Sequence, residues 1–138
     1  MPYSRPFGIE FNHCDPAGIV FYPRYLEMVN HMAENFFADV VGHGYAQMIA
    51  DGNGCPTVRL EVDFRAPSRL GERLTLTLRV TAVGRSSLDL TVAGRGPADD
   101  LRFRAAKRIV WIGPDKRAAP WPDRIRDRLT ESIEEDDG

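Results

Sequence analysis

Pro23–Val41 reads PRYLEMVNHMAENFFADVV, and after its opening proline it contains neither glycine nor proline. Leu26, Val29, Met32, Ala33, Phe36, Phe37 and Val40 recur at helical spacing and form one apolar stripe, flanked by Glu27, Asn30, His31 and Glu34. Pro23 suits the first turn of a helix, where a backbone N–H would be unpaired anyway. The spacing predicts one long helix with a single face to bury. Upstream, Tyr3–Asn12 alternates Phe7, Ile9 and Phe11 with Gly8, Glu10 and Asn12, a period-two strand pattern. Pro16 and Gly18 in HCDPAG end that strand in a turn.

Downstream, Gly42, Gly44, Gly52, Asn53, Gly54 and Pro56 punctuate the chain and leave room for a short helix over Tyr45–Ala50. After Pro56 the period changes to two. Val58, Leu60, Val62 and Phe64 alternate with charged residues as a half-buried strand, and Leu74, Leu76, Leu78 and Val80 repeat the pattern. A turn at Gly84 leads to a strand through Leu88, Leu90 and Val92. A loop at Gly94–Asp100 leads to another over Leu101–Ile112. Trp121–Ile133 reads as an amphipathic terminal helix, with residues 131–138 expected to fray. The order is strand, long helix, four strands. Short connections favour antiparallel pairing, and the helix needs a sheet to cover its stripe. The chain is expected to be one α+β domain over residues 1–138: a five-stranded antiparallel sheet wrapped around one helix. One helix covers one face and leaves sheet edges open, so a homodimer paired edge to edge is expected.

Composition narrows the function. Eighteen Lys and Arg against 20 Asp and Glu give a net charge of -2, which argues against a nucleic-acid surface. No apolar run approaches the roughly 18 residues of a membrane span. MPYSRPFGIEF lacks the basic start and apolar stretch of a signal peptide, so the expected location is the cytoplasm, with Cys14 and Cys55 as free thiols.

The chemistry concentrates in Phe11–Tyr25, FNHCDPAGIVFYPRY. It sets one carboxylate, Asp15, in a tight turn between strand and helix, with Ile19, Val20 and Phe21 to roof it. The helix begins near Tyr22–Pro23, so unpaired amides and the positive end of its dipole point back at the turn. A carboxylate can attack a carbonyl or activate water, and amides can hold the oxyanion that develops. The same Asp-Pro pair also suits a carboxylate that merely caps its own turn. On these residues alone both readings stand.

HCDPAGIVFYPRY resembles DCDPAGIVWYPNY, the segment characteristic of the 4-hydroxybenzoyl-CoA thioesterase family, almost position for position, and the element order agrees over Tyr3–Ile112. The resemblance implies a hotdog fold and hydrolysis of a CoA thioester, with Asp15 as nucleophile or general base. The backbone N–H of Tyr22 would polarise the thioester carbonyl. It further implies sites at a dimer interface, usually in tetramers of two dimers, with no metal or redox cofactor. Arg85, Ser86 and Ser87 resemble the basic-and-serine element that contacts the nucleotide of CoA. The YP form of the motif points to an aromatic acyl group of benzoyl or hydroxybenzoyl type. His13 departs from the pattern, standing where Asp or Glu is usual, and reads either as a helper to Asp15 or as a surface residue.

Asn30, Glu27 and His31 lie where a helix leaving the catalytic turn could meet the acyl group, and Phe21 suits a ring-binding pocket. Cys14 has only His13 as a basic neighbour and reads as structural. His31 and Glu34 are spaced as metal ligands, but no further ligands join them, and no metal is expected. Three competing functions remain open: a hotdog protein that binds acyl-CoA without turnover, a thioesterase for short aliphatic or carrier-protein thioesters, and a structural homo-oligomer.

Overall fold

The structure, a computed structural model, describes residues 2–134. Strands β1 (Tyr3–Gly8), β2 (Thr57–Phe64), β3 (Arg73–Val83), β4 (Ser87–Arg95) and β5 (Leu101–Val110) form one antiparallel sheet in the order β1-β3-β4-β5-β2. Helix α1 (Pro23–Phe36) lies on one face, α2 (Tyr45–Ala50) follows it, and α3 (Asp123–Glu131) closes the described chain. This is the expected α+β sheet around one long helix.

Leu74, Leu76, Leu78, Leu88, Leu90 and Val92 point from β3 and β4 into the core that takes Tyr25, Met28, Val29, Met32, Ala33 and Phe36 of α1. Alternation on the strands and helical spacing on α1 thus meet in one apolar layer. α1 continues as a π-helical turn over Phe37–Val41 and stops at Gly42, whose φ of 75° lets the chain turn away. The Gly84 turn joins β3 to β4, and three tryptophan donors hold its carbonyls. Trp111 N–H donates to Ser86, Trp121 N–H to Arg85, and the Trp121 indole to Ser87, at 2.7, 3.0 and 3.1 Å.

Four expectations need correction. β1 ends at Gly8, and Phe11 lies exposed in a 3-10 turn over Phe11–His13 instead of continuing the alternation. A reciprocal cap displaces the strand there, with the Glu10 N–H donating to His13 Nδ1 at 2.8 Å. β2 is one of the two edge strands, and its inward apolar face is uncovered rather than half-buried: Val58 is 58% and Phe64 50% exposed. α3 begins only after Pro122, and Trp121 is buried outside it. Ser132–Glu134 do not fray, because Glu134 N–H donates to the Val80 carbonyl at 2.8 Å and Arg79 pairs with Glu134. Residues 135–138 of the expected frayed tail lie outside the described residues.

Candidate active site

The turn holding Asp15 is a pinched hairpin. Cys14 bridges to Val20, Asp15 N–H donates to the Ile19 carbonyl and Phe21 N–H to that of His13, at 3.0 and 2.9 Å. Inside it, Gly18 N–H donates to the Asp15 carbonyl at 3.0 Å, with Gly18 at a φ of 77° that favours glycine. One oxygen of the half-buried Asp15 carboxylate accepts from Ala17 N–H at 2.9 Å. The other oxygen accepts nothing among the described residues. Asp15 therefore caps its turn with one oxygen, and the second has no partner among the described residues, so capping leaves one carboxylate oxygen unused.

A second loop anchors this hairpin. Val20 N–H donates to the Ser68 carbonyl at 2.8 Å, Leu70 N–H to that of Gly18 at 3.0 Å, and the buried Tyr25 hydroxyl meets Ser68 Oγ at 2.9 Å. Arg102, buried at the start of β5, fastens that loop in turn. It donates to Glu72 through two nitrogens at 2.7 and 2.9 Å and to the Pro67 carbonyl at 3.0 Å. Its guanidinium, helped by the Arg69 N–H, lowers the Glu72 carboxyl to about 2. The sequence gives no local sign of this support, since Ser68, Glu72 and Arg102 sit in unpatterned positions more than thirty residues apart at the extremes.

Where α1 begins, Arg24 N–H donates to Phe21 and Tyr25 N–H to Tyr22, while Pro23 has no N–H. The Tyr22 N–H finds no acceptor among the described residues. It is left at the positive end of the helix, beside the Asp15 turn. Val20 sinks into the core, whereas the Phe21 and Tyr22 rings stay exposed, 5.6 Å apart, and Tyr22 meets Phe64 of β2 at 5.8 Å. His13 turns to Phe7 at 5.1 Å and spends Nδ1 on the Glu10 cap, so it serves the turn. His31 packs on Phe7 at 5.6 Å, and Cys14 leans on the core.

Residues 9–129 match the family model for the thioesterase-like superfamily. The chain belongs to the thioesterase-like superfamily. Among relatives of this superfamily protein is a 1,4-dihydroxy-2-naphthoyl-CoA hydrolase of Synechococcus elongatus, 24% identical over 123 residues, covering 88% of this chain and 90% of the relative. Its fold is similar to that of a 1,4-dihydroxy-2-naphthoyl-CoA thioesterase from Synechocystis, with a TM-score of 0.87 at 22% identity over 95% of this chain and 97% of that one. A gentisyl-coenzyme A thioesterase is similar with a TM-score of 0.82 at 22% identity, over 90% and 99%. The hotdog fold is therefore as expected.

Not all of the expected site comes together within one chain of the superfamily protein. Asp15, Phe21 and Tyr22 cluster at the end of the sheet where β3 begins, because Gly8 pairs with Arg73 and Ile19 bridges to Arg69. Asn30 lies about 12 Å further along α1, eight residues at about 1.5 Å each. Arg85, Ser86 and Ser87 lie beyond the other end of β3. Its 11 residues separate them from Asp15 by about 35 Å at about 3.3 Å per residue.

Proposed function

We propose that the protein hydrolyses the CoA thioester of an aromatic acid at a site built around Asp15 and the Tyr22 N–H. The observation that carries this is the pairing of a half-bonded carboxylate with a vacant amide donor, both on a turn held rigid by the Ser68 loop. The thioester carbonyl oxygen accepts from Tyr22 N–H, and charge building on that oxygen is met by the helix end. Asp15 either attacks the carbonyl carbon itself or takes a proton from a water that does. The carbon–sulfur bond then breaks, and CoA leaves as the thiol after taking up a proton. A mixed anhydride with Asp15, on the first route, is cleared by water. This chemistry uses no metal or redox cofactor.

The 35 Å separation supports a shared site. β2 runs with Phe64 at the Asp15 end and Thr57 at the Arg85 end, since Phe64 pairs with Phe103, Thr57 with Ile109, and Ser87 with Val110. Antiparallel pairing of β2 with β2 of a second copy sets Asp15 and Tyr22 of one protomer at the Arg85–Ser87 end of the other. Arg85, exposed on its turn, then meets the nucleotide phosphates of CoA. The same pairing covers Val58, Leu60 and Phe64, each worth about 1.5–3 kcal/mol if fully buried. A dimer is the active unit on this reading, and the resemblance extends it to a tetramer of two dimers. Phe21 and Asn30 border the acyl group.

The aromatic class rests on the YP motif and on relatives named for naphthoyl-CoA and gentisyl-CoA rather than for 4-hydroxybenzoyl-CoA. A hydrolysis screen over benzoyl, hydroxybenzoyl, 1,4-dihydroxy-2-naphthoyl and short aliphatic CoA esters tests it. Aromatic esters are expected to lead by roughly tenfold or more in kcat/KM, the scale on which apolar pockets discriminate. Equal or better turnover of aliphatic esters contradicts the aromatic assignment, and no turnover of any ester contradicts the hydrolase.

A further inference from the structure

We propose that Lys107 closes the far end of the acyl pocket and binds an acidic oxygen, a phenolate or a carboxylate, carried by the acyl group away from its thioester. The inference deepens the thioesterase reading and rests on it for the position of the carbonyl.

Along β5 the residues Phe103, Ala105 and Ile109 face α1 and are fully buried. Lys107 occupies the same phase and is itself only 7% exposed. An ammonium at an inward position of a strand is costly unless it is paired. Arg102, the other buried cation of this strand, has Glu72 and Asp100. Lys107 has one bond, from Nζ to the neutral Asn30 Oδ1 at 3.2 Å, and no carboxylate partner among the described residues. Burial accordingly pushes its pKa down, opposed only by nearby Cys55. Among the described residues, then, a buried lysine that faces the core has a neutral amide as its one partner.

The surroundings say where a counter-ion would enter. Lys107 lies directly opposite Leu60 in the β5–β2 register, one strand in from the open edge. Leu60 and Phe64 leave that edge apolar and exposed, and Phe64 touches Tyr22. Asn30 is exposed on the flank of α1 and bends over the ammonium. A strip thus runs from the Tyr22 amide past Phe64 and Leu60 to Lys107, walled by α1. Tyr22 and Asn30 are about 12 Å apart along the helix, and side chains lean toward the N-terminus, which shortens the gap. A ring system with its carbonyl on the Tyr22 N–H reaches toward the Asn30–Lys107 pair. An oxygen at its far edge would supply a negative charge and keep the Asn30 bond. A carboxylate from the second protomer offers the same chemistry, and the experiment separates the two.

The test measures binding of two hydrolysis-resistant thioethers, phenacyl-CoA and 4-hydroxyphenacyl-CoA, by titration calorimetry. Wild type, Lys107→Met and Lys107→Gln are compared, and sedimentation equilibrium is run on each. Met matches the stem of lysine and removes only a buried charge, so it folds at least as well, and Gln serves as the polar control. Wild type is expected to favour the hydroxylated ligand by roughly tenfold or more, the size of one charge-assisted hydrogen bond in a dry site. Both variants should bring the ratio to about one with unchanged molecular mass. A ratio near one in wild type, a ratio that survives substitution, or failure of both thioethers to bind overturns the proposal. Dissociation of the assembly with equal weakening of both ligands overturns it in favour of a partner carboxylate. Discrimination between thioethers without hydrolysis of any ester would leave Lys107 standing and remove the hydrolase; hydrolysis without discrimination does the reverse.

Discussion

Replacing Glu72 by Gln loosens the support beneath the Asp15 turn, and its effect has a defined dependence on pH. Arg102 donates to Glu72 through two nitrogens at 2.7 and 2.9 Å, and the Arg69 N–H adds a third bond at 2.7 Å. These bonds hold the carboxyl at about 2, against an ordinary value of 4.5. A carboxyl whose folded pKa is depressed adds stability that is complete above its unfolded pKa and lost as pH falls through the folded one. Here the window runs from pH 4.5 down to about 2. Taken in full, the displacement is worth about 3 kcal/mol at ~1.36 kcal/mol per unit. Glu72 keeps 26% of its side-chain surface in water. Solvent screening therefore reduces the contribution to roughly 1–2 kcal/mol. Urea unfolding of wild type and Glu72→Gln at neutral pH should differ by about 0.5–1 M in midpoint. Repeated in steps down to the acid end of the window, the two curves should converge. A constant gap at every pH, or none at neutral pH, would show that the Glu72–Arg102 pair does not stabilise the fold in this way.

Two further outcomes follow from the open edge and the distant turn. Leu60→Asp places a charge on the exposed apolar face of β2, and the protein should then sediment as a monomer of 15.5 kDa and lose thioester hydrolysis; a fully active monomer contradicts the shared site. Arg85→Ala should raise KM for CoA esters several-fold with little change in kcat, since a remote phosphate contact is uniform binding energy. The difference should shrink as salt rises, and an equal loss on a truncated pantetheine thioester contradicts the contact.

The helices and inner strands were legible because their patterns and their surroundings agree. Tyr45–Ala50 stands between glycine clusters, and the stripe from Val29 to Val40 meets the leucines of β3 and β4, so local spacing and packing select the same structure; at the first turn Tyr25 and Met28 enter the core in place of Leu26. Legibility fails where a side chain competes with the pattern. At Phe11 the alternation continues in the sequence, but the Glu10–His13 cap turns the backbone out of the sheet. For β2 the alternation is correct and the burial is not, because period two reports which face is apolar and not what lies over it. The turn from Asp15 to Pro23 was readable since its signals, Pro16, Gly18 and Pro23, are local. Its support was not: Ser68, Glu72 and Arg102 act through contacts between distant segments. Lys107 could have been found, as a lysine in phase with Phe103, Ala105 and Ile109 on a strand reading inward.

Whether Asp15 performs the chemistry on this turn is read from the turnover number of Asp15→Asn. Asparagine keeps an oxygen to accept from Ala17 N–H, now at 2.9 Å, so the hairpin and its anchors on Ser68 should survive. The second oxygen, without a partner among the described residues, becomes an amide that can neither attack a carbonyl nor take a proton. Hydrolysis of the best aromatic CoA ester, measured beside circular dichroism and a urea midpoint, should fall by about a hundredfold or more with the fold intact. Near-normal turnover by the folded Asn variant would show that the Asp15 carboxylate does not carry the reaction.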